Sequence, residues 1–151
     1  MTPDSLVVEF DVQAPPAKAF RMWTAHTGLW WPKDHTITGD PASVIFEPYV
    51  GGRIIESADD GAQHVWGRVT TWDEPRRLEF SWHLFFDETV ATRVSLTFED
   101  LGDATRVRLE NSGFAALADA GAVRRERTGS AWSYITTTFA SFADTTGSDL
   151  D

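Results

Sequence analysis

The chain has 151 residues and a formal net charge of −10, from 23 acidic against 13 basic side chains, so its average field repels nucleic acid and anionic lipid headgroups. It contains no cysteine, which excludes disulfides, thiol nucleophiles, Cys-ligated zinc and iron–sulfur clusters. With 42% hydrophobic residues, seven Trp and ten Phe, a chain of this length has the apolar mass for one core, and residues 1–151 are read as a single domain.

The opening Met1-Thr2-Pro3-Asp4-Ser5 has neither the basic region nor the apolar run of a leader. No run of about eighteen apolar residues follows, so no membrane insertion and a cytoplasmic location are expected. From Val8 to Val12 apolar and acidic residues alternate, the period of a strand with one face on a core. Pro15-Pro16 then open a short helix that places Ala19, Phe20 and Trp23 on one face. The aromatic stretch Leu29-Trp30-Trp31 before Pro32 gives a second brief helix leading into a loop through Asp40.

Between Ser43 and Asn111 the spacing predicts six strands, near 43–47, 52–58, 63–73, 77–86, 89–99 and 104–111. No helical pattern interrupts them, so they form an antiparallel meander. The turns have local causes: Gly51-Gly52 and Asp59-Asp60-Gly61 supply permissive backbone, and Asp73-Glu74-Pro75 breaks the ladder. Alternation puts Leu78, Phe80, Trp82 and Leu84 on one face, with Val94, Leu96 and Phe98 matching them on the next strand. A final helix over about 122–144 carries Trp132, Ile135, Phe139 and Phe142 as one stripe that can cover this face. Its start, Arg124-Arg125-Glu126-Arg127, reads as a solvated face, and the tail over 145–151 is expected to fray.

Three segments carry a resemblance: Phe46-Glu47-Pro48-Tyr49-Val50-Gly51-Gly52-Arg53, the strand pair from Trp66-Gly67-Arg68-Val69 through Pro75-Arg76-Arg77-Leu78 to Trp82, and Asn111-Ser112-Gly113-Phe114. With the order of elements they resemble the Hsp90-ATPase-activator-homologue branch of the START-like (Bet v 1-like, SRPBCC) superfamily, over about Leu6 to Phe142. The resemblance implies an α+β helix-grip fold: a curved antiparallel sheet of about seven strands wraps a long C-terminal helix, with two short helices after the first strand. It also implies a cavity that often accepts hydrophobic small molecules. Asn111 stands where the family commonly has His, which removes a titrating group from that turn.

The aromatic set is the strongest chemical signal, because Trp and Phe offer large apolar contact area and Trp adds one N–H donor. Trp23, Trp30, Trp31, Trp66, Phe80, Trp82, Trp132 and Phe139 are the candidate ligand-binding residues. Each is equally at home filling a core; as a set they suit the lining of a space between sheet and helix. His64, Arg68 and Thr70 share strand parity with Trp66, and without a bulge all four project to one side. Arg68 is then a candidate for a ligand carboxylate, or else a surface partner of Glu56. For acid–base chemistry the pair that can be assembled is His64 with Glu56, while His83 alternates outward. The four His (26, 35, 64 and 83) lack metal-ligand spacing, and no nucleotide, phosphate-loop or hydrolase motif is present. No cofactor or metal is expected.

The expected function is a non-catalytic binding domain for a small hydrophobic, lipid-like or aromatic molecule. A polyketide cyclase or dehydratase-like enzyme and a chaperone-associated interaction module are the alternatives. A homodimer through a strand edge or helix face is compatible with the pattern.

Overall fold

A computed structural model describes residues 4–84, 86–117 and 119–146. Strand β1 (Ser5–Val12) is followed by helices α1 (Pro16–Thr24) and α2 (Thr27–Trp30) and a 3-10 turn at Lys33–His35. Six strands come next: β2 (Ser43–Phe46), β3 (Arg53–Ser57), β4 (Gln63–Asp73), β5 (Arg77–Trp82), β6 (Thr92–Asp100) and β7 (Thr105–Ser112). Helix α3 (Asp119–Thr146) closes the chain, starting three residues before the expected position. The frayed tail expected over 145–151 lies, from residue 147 onward, outside the described residues, and α3 includes 145 and 146.

The seven strands form one sheet in the order β1-β7-β6-β5-β4-β3-β2, and every pairing is antiparallel. The meander from β2 to β7 follows the chain, and β1 joins its far edge through β7, with Val8 opposite Leu109 and Phe10 opposite Val107. The expected strands at 77–86 and 89–99 are shorter on the side of their connection: β5 stops at Trp82 and β6 begins at Thr92. Between them Asp87 caps a 3-10 turn at Glu88–Val90, its Oδ1 accepting from the Thr89 N–H at 2.9 Å. A capped turn satisfies backbone groups locally, so the ladder ends there.

One face of the sheet is apolar, and α3 lies across it. Leu78, Phe80, Trp82, Val94, Leu96, Val107 and Leu109 are buried on that face, and Trp132, Ile135 and Phe139 of α3 are buried against it. Phe142, the fourth residue of the expected helix stripe, is half-buried. The wedge between sheet and helix is completed by α1, where Pro16 occupies the first helical turn and Ala19, Phe20, Met22 and Trp23 are buried. Each large aromatic so buried contributes up to about 3 kcal/mol. This is the helix-grip arrangement.

The Gly51-Gly52 turn has two separate requirements. Gly51 adopts φ +89°, and a Cβ on Gly52 would stand 2.5 Å from the Glu47 carbonyl oxygen.

Candidate functional site

The eight aromatic candidates are all buried and touch ring to ring. Trp23 meets Trp30 at 4.8 Å and Phe139 at 5.0 Å between centroids; Trp31 meets Trp66 at 5.0 Å; Phe80 meets Trp82 at 5.5 Å; and Trp82 meets Trp132 at 5.1 Å. These spacings lie in the range where aromatic pairs attract, so the set fills the interior against itself. Most of the N–H donors are used internally: Trp30 Nε1 donates to the Met22 carbonyl, Trp31 Nε1 to the His35 carbonyl and Trp132 Nε1 to Asn111 Oδ1 at 3.0 Å. Trp23 Nε1, fully buried, has no acceptor among the described residues.

Space opens at the edge of this cluster, where α3 passes the connection from β5 to β6. An inner cleft of ≈ 200 Å³ has Trp82, Leu84, Trp132 and Ile135 as its apolar wall, with Ala131, Thr128 and His35 at its sides. A larger groove of ≈ 570 Å³ lies beside it, between Val90 and the first turns of α3 at Ala120 and Val123. Phe86, Arg124 and Arg127 line both.

Arg124 is the polar centre of this region, and it corrects the expectation that the basic start of α3 is a solvated face. Its side chain is buried, at 7% exposure. Nη1 donates to the Val90 carbonyl, Nη2 donates to the Trp82 carbonyl at 3.4 Å, and the guanidinium carbon sits 3.8 Å from the centre of the Phe86 ring. Burial pushes its pKa below the ordinary arginine value. Its neighbour Arg125 also turns inward, Nε donating to the Ser5 carbonyl at 2.8 Å, whereas Glu126 and Arg127 are exposed. The one signal for Arg124 in the sequence is the helix period, in which 124, 128, 132, 135 and 139 form one stripe at steps of four, four, three and four, and the basic run around it hides that signal.

The structure separates the polar candidates on β4. The ladder shifts register between Ile54 and Ile55 on β3, so that Trp66 has no opposite residue, and shifts again between Val69 and Thr71. The shared parity of His64, Trp66, Arg68 and Thr70 is therefore broken: Trp66 is buried, His64 half-buried, and Arg68 and Thr70 exposed. Arg68 donates to the Gly51 carbonyl at 3.4 Å, away from the aromatic interior, and among the described residues no salt bridge joins it to Glu56. Gly67 makes the first bulge possible, since a Cβ there would lie 1.8 Å from the Ser81 carbonyl oxygen.

Glu56 and His64 are opposite one another in the ladder, but the Glu56 carboxylate is fully buried and occupied. Oε1 accepts from the Ile37 N–H at 2.7 Å and from Trp66 Nε1 at 3.0 Å, and Oε2 accepts from the Thr38 N–H at 2.7 Å. Burial by itself raises its pKa, yet the hydrogen bonds from Thr38, Ile37 and Trp66 together outweigh it and hold the group below the usual carboxylate value. Among the described residues no hydrogen bond joins Glu56 to His64. Glu56 thus ties the loop at 37–38 to the sheet. Asn111 has a similar part, its Nδ2 donating to Thr92 Oγ1 and the Arg93 carbonyl, both at 2.9 Å, while its Oδ1 orients Trp132. His83 is half-buried, with Nδ1 3.3 Å from the Phe86 carbonyl oxygen. Among the described residues, no three or more His, Asp or Glu cluster as metal ligands, and no helix is long and apolar enough to cross a membrane.

A seven-stranded antiparallel sheet gripping its C-terminal helix, with clefts where that helix passes the β5–β6 connection, defines the START-like helix-grip class. The chain belongs to the family described as Activator of Hsp90 ATPase homolog 1-like protein, whose model matches residues 13–143. Among solved structures, protein MLL2253 from Mesorhizobium loti is 23% identical with a TM-score of 0.69, over 93% of this chain and 96% of that one. The Aha1 dimer from Colwellia psychrerythraea is 17% identical with a TM-score of 0.67, again over 93% and 96%. Txn09, an anthrahydroquino-gamma-pyrone synthase complexed with SUM, is 28% identical with a TM-score of 0.58, over 92% of this chain and 88% of that chain. No curated protein matches the sequence.

Proposed function

We propose that the protein binds a small hydrophobic or aromatic molecule in the cleft between α3 and the β5–β6 connection. The observation that carries this reading is a concave, apolar wall of Trp82, Leu84, Trp132 and Ile135 with one buried polar group, Arg124, beside it. Ligand sites are built in this way, from apolar surface for affinity and a few placed polar groups for orientation. The inner cleft takes a one- or two-ring aromatic, and the adjoining groove extends the space available to a longer or lipid-like molecule.

The test is a thermal-shift screen of the purified protein against aromatic acids, flavonoids, polyketide-like aromatics, fatty acids and sterols, after native mass spectrometry for a copurified ligand. A ligand at a hundred times its Kd stabilises the fold by about 2.7 kcal/mol, a rise in Tm on the order of 5–10 °C. Ala131→Trp, which plugs the inner cleft from α3, is expected to abolish the shift while the fold persists. No shift from any class, or an undiminished one in the plugged variant, rejects the cleft as the site.

A second reading, an enzyme of the polyketide cyclase type, is favoured by the likeness to the Txn09 synthase. The titratable group at the inner cleft is His35, whose Nδ1 lies 3.0 Å from Asp34 Oδ1 and whose ring lies 5.1 Å from Tyr134. In that reading His35→Gln loses turnover and keeps binding, whereas His64→Ala retains both, because His64 lies outside the cleft wall. Loss of turnover in His64→Ala with His35→Gln active returns the chemistry to β4. A homodimer, supported by the Aha1 dimer, and a cytoplasmic location belong to the same proposal.

A further inference from the structure

We infer that the molecule taken up at this cleft carries an acidic group, a carboxylate or an ionised phenol or enol, which the guanidinium of Arg124 binds. The inference rests on the binding reading above and adds the charge of the ligand.

Its first ground is the state of Arg124 itself. A cation held at 7% exposure has lost most of its hydration, and such a charge is ordinarily compensated by a carboxylate. Among the described residues no Asp or Glu forms a salt bridge with it, and its compensation consists of two backbone carbonyls and the face of Phe86. Those two hydrogen bonds use two of the five N–H donors a guanidinium offers.

The second ground is the distribution of charge. Acidic residues outnumber basic ones by 23 to 13 in the chain, yet neither cleft is lined by a single Asp or Glu. The charged side chains lining them are Arg124 and Arg127. Two other surface grooves differ, each being lined by acid as well as Arg: Arg76 with Glu99 and Asp100 in one, Arg125 with Glu126 in the other. A positive, low-dielectric recess on a strongly negative molecule concentrates the field on one spot and selects an anion small enough to enter. The apolar wall adjoining it selects an aromatic or alkyl body, so the two grounds specify an amphipathic acid.

Affinities of 2-naphthoate and its neutral isostere 2-naphthamide, measured by calorimetry on the intact chain, separate the possibilities. The wild-type protein is expected to prefer the naphthoate by about tenfold or more, and that preference shrinks as salt rises to about 0.3 M. Arg124→Met brings the ratio close to one, and Arg127→Gln lowers it by a few-fold. Should near-UV circular dichroism show Arg124→Met to be unfolded, Arg127→Gln and the wild-type salt dependence decide the matter. Equal affinity for the two probes, or a preference that survives loss of both the arginine charge and low salt, overturns the acidic ligand and leaves the binding reading standing. Failure of both probes to bind removes the reading and the inference together.

Discussion

Glu56 and Arg124 are both buried and charged, and they solve the same physical problem in different ways. Glu56 has three well-placed N–H donors around it, two from the backbone at Ile37 and Thr38 and one from Trp66. In Glu56→Gln an NH₂ group must face at least one of those donors, which costs about 1–3 kcal/mol at neutral pH. Because the folded pKa is depressed, the ionised group stabilises the fold above its unfolded pKa, and that stabilisation is lost as pH falls through the folded value. Urea unfolding of wild type and Glu56→Gln is therefore expected to differ at about pH 7 and to converge as the pH drops below the carboxylate range. A gap that stays constant with pH assigns Glu56 no ionic part. Arg124 has two carbonyls and an aromatic face around it but, among the described residues, no anionic partner, which is why the acidic ligand is assigned to it and a structural part to Glu56.

At the level of elements, β4 decides which side chains reach the interior. Two register shifts within eleven residues turn Trp66 inward while Arg68 turns out. Gly67 is the residue on which the first shift depends, since β5 passes so close that any Cβ collides with the Ser81 carbonyl. Gly67→Ala is expected to destabilise the protein by about 3 kcal/mol, near the upper end for overpacking, because the obstacle is backbone and cannot rotate away. A measured change below about 0.5 kcal/mol in urea unfolding would show that the strands separate easily there. Helix α3 has the complementary part: its stripe carries Trp132 and Phe139 into the aromatic cluster and, two turns earlier, Arg124 to the cleft. One period thus builds both the core and the site.

For the whole molecule, the net charge of −10 and the two-arginine recess predict opposite responses to salt. Self-repulsion among exposed carboxylates weakens the compact state at low ionic strength, so added salt is expected to raise Tm by a few degrees, corresponding to about 1 kcal/mol or less. The same salt weakens an acidic ligand at Arg124. A melting curve of the free protein that falls with salt would show that local ion pairs, such as Arg106 with Asp11 on the β7–β1 edge, outweigh the net repulsion.

What the sequence determined by itself is whatever depends on short-range pattern. Alternation along β1, β5 and β6, the Pro-led α1, the glycine turns and the 3.6-residue stripe of α3 each act over a few residues, and so the α+β helix-grip order and most of the core were legible. Three features depended on tertiary structure. The bulges in β4 belong to its pairing with β3 on one side and β5 on the other, where β5 leaves no room for a Cβ at Gly67, and they break the parity that groups Arg68 with Trp66. The aromatic set packs upon itself because α1, α2 and α3 converge on one face of the sheet, and the inner cleft opens at its edge. Arg124 became buried because the turn between β5 and β6 brings the Val90 and Trp82 carbonyls and the Phe86 ring around it; in the sequence it stands in a basic run that looks like any solvated helix start.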